Sequence, residues 1–350
     1  PNPLSSFNTF IVNYIFYIII LFAFAIYFYN LNFNFKSFFY FRILTYIFNF
    51  IVLLYIYFSA LYYCNFNFKC IINFIYNMQA NIDDNKIKLN GLLNLSSSFV
   101  YIILICAYFF LVIKSKKEKI VSYVLFFLNF LTLILMARRA ALLGIFSGVL
   151  LSLLFYRFFN KTIYILFIPI FSIMCILIFH PYAKNTLLIR GDTPDRILKF
   201  KEGDFNTMSS VGFRLYEWER SLKRLKESPF IGTGLGRKIM KEQFFKESPI
   251  GHPHNTLISL ALQSGIQTLF TFLCFYFILF IKNFNLRKIC IKKVYFFSLI
   301  CFIFMISILW IFMFAGVEEK AGFIPFWIMS GATLGMITYS NSKLKSPHIY

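Results

Sequence analysis

The residues with the clearest chemical capacity lie together in GHPHNTLISLALQSG, residues 251–265. The chain has only 4 histidines, and two of them, His252 and His254, stand there at the mouth of a long apolar run. An imidazole titrates near neutral pH, so it can take a proton from a hydroxyl under working conditions. Asn255 is a good N-cap, which predicts a helix starting at that point. At 100° per residue, one continuous helix through this run places His254, Gly265 and Thr268 on a common face. An imidazole then sits at a membrane surface above a smooth groove, and Gly265 admits a neighbouring helix or a lipid chain. The plain alternative is an interfacial histidine with no chemical role.

Most other polar chemistry falls in 181–253, which holds 14 Lys/Arg against 9 Asp/Glu. Within it, FRLYEWERSLKRLKE (213–227) has Leu215, Trp218, Leu222 and Leu225 at helical spacing, predicting an amphipathic helix that lies on a membrane or caps a bundle. Pro229 ends it, and GTGLGRK (232–238) follows. That glycine run lacks the GxxxxGK[ST] pattern of a phosphate-binding loop, and no strand precedes it as a dinucleotide fingerprint requires. Asp192 and Asp195 do not have DxD spacing, and no Cys/His cluster has metal-ligand spacing. Glu217 and Glu219 are alternative bases, read first as members of helix-surface pairs.

These residues need a scaffold, and the composition identifies its solvent. With 59% hydrophobic and only 14% charged residues, the chain has too much apolar surface for a water-soluble domain. A spanning helix takes about 20 mostly apolar residues. Nine such runs occur, near 9–29, 38–63, 94–113, 120–136, 140–156, 162–180, 255–281, 294–315 and 322–340. Strict alternation is absent, which argues against an outer-membrane barrel. The expected fold is therefore an all-α polytopic membrane protein of about nine transmembrane helices with one large loop. It divides into an N-terminal bundle (1–180), the loop (181–253) and a C-terminal three-helix segment (254–350).

Lys and Arg in the short loops set the orientation. KSKKEK (114–119), YRFFNK (156–161), KNFNLRKICIKK (282–293) and the tail from 341 fall on one side, expected to be cytoplasmic. Residues 64–93, the Arg138/Arg139 turn, 181–253 and VEEK (317–320) fall on the other. Seven cysteines are scattered along the chain; Cys64 and Cys70 share a loop and either pair in an oxidising compartment or remain free thiols.

Three motifs in this order resemble bacterial O-antigen ligases. His254-Asn255, nine residues, Gly265, two residues and Thr268 resemble the family's H[NSQ]x9Gxx[GTY] signature. RLYEWERSLKRLKESPFIGTGLGR (214–237) is similar to its R…W…P..G.G.G segment. ARRAALLG (137–144) is similar to its SRG-type turn, with Ala140 at the glycine position and no serine. The resemblance spans about 137–268 and implies a membrane glycosyltransferase C-like fold. Family ligases have around twelve spans and three after the loop, so with six before its loop this chain either lacks an N-terminal portion or is a compact family member. The wider superfamily includes O-antigen polymerases and protein O-oligosaccharyltransferases. Against a transporter, the spans carry essentially no acids to line a pathway.

The resemblance implies transfer of a glycan from undecaprenyl diphosphate to a sugar hydroxyl of a lipid A–core acceptor, metal-independent and inverting. It implies no cofactor, and membrane lipids but no nucleic acid as partners. The place is the periplasmic face of the bacterial inner membrane. His254 takes the role of general base. Arg139 and Arg214 suit the diphosphate, because a guanidinium is permanently charged and grips phosphate oxygens through two bonds. Arg138, Asn255, Gly265, Trp218, Arg237 and Lys238 are expected to line the substrates. Interfacial anchoring is the plain reading of Arg138 and Arg139, and a solvated helix face that of Arg214.

Overall fold

The computed structural model describes residues 16–30, 35–67, 70, 96–135, 138–156, 168, 170, 172–173, 210–233, 253, 255–289, 291–314 and 320–345. Every element among them is a helix. These are α1 (Phe16–Asn30), α2 (Phe35–Cys64), α3 (Ser96–Val112), α4 (Lys116–Leu135), α5 (Arg139–Phe155), α6 (Ser210–Glu227), α7 (Thr256–Ser264), α8 (Ile266–Leu286), α9 (Lys292–Phe314) and α10 (Lys320–Lys345). Four of them, α2, α4, α8 and α9, are long and apolar enough to cross a membrane, and α1, α3 and α5 contain shorter apolar runs. Helix is the expected answer for such runs, because a hydrocarbon solvent leaves backbone groups no partners outside their own segment. The protein is an all-α membrane protein. The expected sixth span, 162–180, lies almost wholly outside the described residues.

α9 is the central element, buried along most of its length. Two glycines let α5 lie directly on it. A Cβ at Gly144 would stand 2.7 Å from the Ser307 Cα, and one at Gly148 would stand 2.9 Å from the Ile303 carbonyl oxygen. The two helices therefore run antiparallel at backbone contact, the small-residue packing that suits helices without a water-driven force between them. Much of the aromatic content fills this core, with Phe302 ringed by Tyr156, Phe155, Phe280 and Phe284.

α2 joins the bundle differently, by a ladder of polar pairs to α4. Arg42 bonds Glu118 at 3.0 Å, Tyr46 bonds Ser122, Asn49 accepts from Asn129 at 3.0 Å, and Tyr57 meets Thr132 at 2.9 Å. Residue numbers rise together on both helices, so α2 and α4 are parallel. Asn49 also donates to the Cys106 sulfur of α3 at 3.6 Å.

These registers sort the turns to two ends. Lys114–Lys119 and the α8–α9 turn lie at one end. Arg138–Arg139, the far end of α9 and the C-terminus of α2 lie at the other. The grouping of those loops agrees with the Lys/Arg pattern. At the second end Cys64 and Cys70 form a disulfide, closing the turn in which Asn65 and Phe66 take positive φ.

Two expectations need correction. The run at 255–281 is not one helix. It breaks at Gly265, whose φ of 88° and ψ of 167° belong to a region essentially reserved for glycine. The common face of His254, Gly265 and Thr268 requires a straight helix and does not exist. The segment after the loop accordingly holds α7 as well as three long helices. The apolar stripe of α6 is also not its buried face. Leu222 is 47% exposed, while Glu217 and Ser221 are fully buried.

Candidate functional site

The functional end is assembled around the last turn of α9. The α5–α9 register set by Gly144 and Gly148 carries Arg139 to the level of Phe312 and Arg138 to that of Met313. Arg138 is the N-cap residue of α5, and both arginines are half-buried. Asn255 reaches the same turn, its Nδ2 donating to the Met313 carbonyl at 2.9 Å. Trp218 of α6 lies with its ring centroid 6.0 Å from that of Phe314. Its buried indole Nε1 has no hydrogen-bond partner among the described residues. Arg214, half-buried, is one turn before Trp218 on a neighbouring face of α6.

Asn255 serves two elements. Its Oδ1 accepts from the Ile258 N–H at 2.9 Å, capping α7 as the sequence predicts, while its amide nitrogen holds α9. Tyr276 donates to the Met305 carbonyl at 2.6 Å. Met305 and Met313 are ~12 Å apart along α9, whereas Asn255 and Tyr276 would be ~31 Å apart in one straight helix. The stretch of α8 from Tyr276 back to Ile266 rises ~15 Å and already reaches the end of α9. α7 therefore turns aside at Gly265 and runs across the end of the bundle.

The break is held by the glycine turn after α6. In an unbroken helix the Ile266 N–H would donate to the Leu262 carbonyl. Here Ile266 N–H donates to the Pro229 carbonyl at 2.8 Å, and the Leu262 carbonyl accepts from the Thr233 N–H at 2.8 Å and the Thr233 hydroxyl at 2.9 Å. Both halves of that missing rung are thus satisfied by residues 229–233, so neither the Ile266 N–H nor the Leu262 carbonyl is orphaned by the break. Gln267 Nε2 adds a bond to the Phe230 carbonyl. Gly232 has φ 74° and no room for a Cβ, which would lie 2.7 Å from the Gln263 backbone. A Cβ on Gly265 would collide with the Phe230 carbonyl. The close approach that Gly265 permits is therefore that of the Phe230 backbone.

Residues 124–273 match the family model described as O-antigen ligase. That segment is similar to O-antigen ligases. No curated protein matches the chain. The matched segment runs from α4 through the first part of α8 and includes all three motifs. The far end of α9, on which those motifs converge, lies outside it. Members of the family are glycosyltransferase-like enzymes, ligases or polymerases, that work on lipid-linked glycans and acceptors.

The structure brings together Arg138, Arg139, Trp218 and Asn255, with Arg214 one turn away. His252, His254, Arg237 and Lys238 lie outside the described residues; Pro253 and Asn255, on either side of His254, are both buried. Glu219 forms the expected surface pair, with Lys223 at 2.8 Å, whereas Glu217 is not at the surface but fully buried, on the same face as Ser221. Sequence reasoning missed the parts played by Met313, Phe314 and Thr233. Only the glycines at 232 and 265 pointed to a close backbone approach.

Proposed function

We propose that this protein is an O-antigen ligase. It transfers a glycan from undecaprenyl diphosphate to a sugar hydroxyl of the lipid A–core, at the periplasmic face of the bacterial inner membrane. The observation that carries this reading is the convergence of Arg138, Arg139, Trp218 and Asn255 on the last turn of α9. All four come from motifs that resemble the family's own. The Cys64–Cys70 disulfide at the same end supports a periplasmic location, since such bonds persist in oxidising compartments. So does the position of the Lys-rich turns at the opposite end. The full chain is read as about nine spans, with 181–253 as the periplasmic catalytic loop between the bundle of 1–180 and the segment 254–350.

In this mechanism the acceptor oxygen attacks the anomeric carbon as the bond from that carbon to the diphosphate oxygen breaks, inverting the centre. His254 takes the hydroxyl proton. The leaving diphosphate gains the electron pair, and Arg139 and Arg214 hold its charge through paired N–H donors. Arg138, Asn255, Trp218, Arg237 and Lys238 line the substrates, while Gly265, expected among them, seats the Phe230 backbone instead. Trp218 has a spare indole N–H to offer a sugar or phosphate oxygen. The reaction needs no cofactor, and the arginines provide the charge stabilisation that a metal would otherwise supply.

The test is deletion of the gene in its host. A ligase deletion removes long-chain lipopolysaccharide and leaves polymerised glycan on the lipid carrier. Accumulation of single lipid-linked repeat units would identify a polymerase, and loss of glycan from proteins would identify a protein O-oligosaccharyltransferase.

A further inference from the structure

The turn that clasps the helix break also carries two adjacent, strongly exposed apolar residues. Phe230 is 70% exposed and Ile231 is 83% exposed. Water is a poor surrounding for both, and the turn has no freedom to withdraw them, because the Pro229 and Phe230 carbonyls and Thr233 are all bonded to the ends of α7 and α8. Their neighbour is the stripe of α8 formed by Ile266, Phe270, Phe277 and Ile281, all exposed and spaced to share one face.

We propose that Phe230 and Ile231 form a lip inserted among the acyl chains of the bilayer leaflet, extending the lipid-facing stripe of α8. Depth supports this occupant. α8 rises ~31 Å, about the thickness of the hydrocarbon, so Ile266 stands at its boundary. The backbone of 229–233 is bonded to that same residue. Continuity with α8, a helix long and apolar enough to span, favours lipid over a protein partner. α6 then rests on the leaflet beside the lip, its exposed Leu222 facing the same environment. The Gly265 kink, and with it the path of α7 to Asn255, is tied to a lipid-seated element.

The test is site-specific photocrosslinking of the full-length protein in nanodiscs of phosphatidylethanolamine and phosphatidylglycerol. Ile231→p-benzoylphenylalanine should give phospholipid adducts in a yield comparable to the same replacement at Phe277 on the α8 stripe. Glu219, exposed on α6, serves as the water-facing control and should give none. A covalent dimer at position 231 would assign the lip to a second copy of the chain. A lipid yield no higher than at Glu219 would place it in water. Either result overturns the proposal, and neither depends on transfer activity. Should the Ile231 replacement fail to accumulate, the same comparison at Phe230 decides the matter.

Discussion

Replacing Asn255 by alanine removes two bonds made by one side chain. Loss of the cap alone costs about 1 kcal/mol, and loss of the amide donor frees the α7 end from Met313. Asn255→Asp separates the two: it keeps an acceptor for Ile258 but sets a carboxylate against the Met313 carbonyl. Thermal unfolding in detergent should therefore find the aspartate variant no more stable than the alanine variant; wild-type stability in both would show that neither bond matters. For His254, which lies between buried Pro253 and Asn255, alanine should lower transfer by roughly 10²-fold or more, the usual range for a removed general base. His252→Ala should keep most activity in the same assay with lipid-linked donor and core acceptor. At Arg139, alanine should abolish transfer and lysine recover part of it, because an ammonium is a point charge without the two-pronged geometry. Full activity of Arg139→Ala at normal expression would remove it from the diphosphate clamp.

At the scale of elements, Gly265→Ala is the sharpest probe. Its φ of 88° alone costs a side chain ~1–3 kcal/mol, and the new methyl would meet the Phe230 carbonyl. The variant should melt earlier and lose activity, whereas Ser264→Ala next to it should do neither. The existence of these helices was legible because apolar runs in lipid leave the backbone little alternative. The break was not. TLISLALQS continues the apolar pattern into α8, and the group that replaces the missing rung, the turn at 229–233, is remote in sequence. Asn255 as a cap was legible because capping is local. The burial of Glu217 was not, because a helix-surface pair and an inward-facing carboxylate look alike from spacing. The α6 stripe misled for a related reason: apolar side chains that face lipid follow the same helical period as those that face a core.

For the whole molecule, two unlike devices hold helices together. α5 lies on α9 through glycines, so Gly144→Leu should force the pair apart and destabilise the fold strongly. α2 is held to α4 by polar side chains, so Asn49→Leu should loosen it while the α5–α9 core persists. Hydrogen exchange resolved by segment would separate these outcomes, and equal deprotection of both regions in either variant would contradict the distinction. The cellular sidedness expected from Lys and Arg is open to a direct check. An impermeant thiol reagent applied to intact spheroplasts should leave a cysteine placed at Lys288 unlabelled and label one placed at Lys226.

α7 occupies the nine residues between Asn255 and Gly265, and its two ends are pinned by different parts of the protein, one by Met313 and the other by the Pro229–Thr233 turn. It therefore works as a gauge block whose length sets an orientation. One residue added inside it would turn Asn255 by about 100° relative to the turn and lengthen the span by ~1.5 Å, a mismatch that no change of side chain can absorb. A single alanine inserted after Leu260 should thus be more damaging than any single alanine substitution between 256 and 264. Measured transfer activity and melting temperature across such an insertion and substitution series would show whether spacing, rather than composition, is what this stretch must keep.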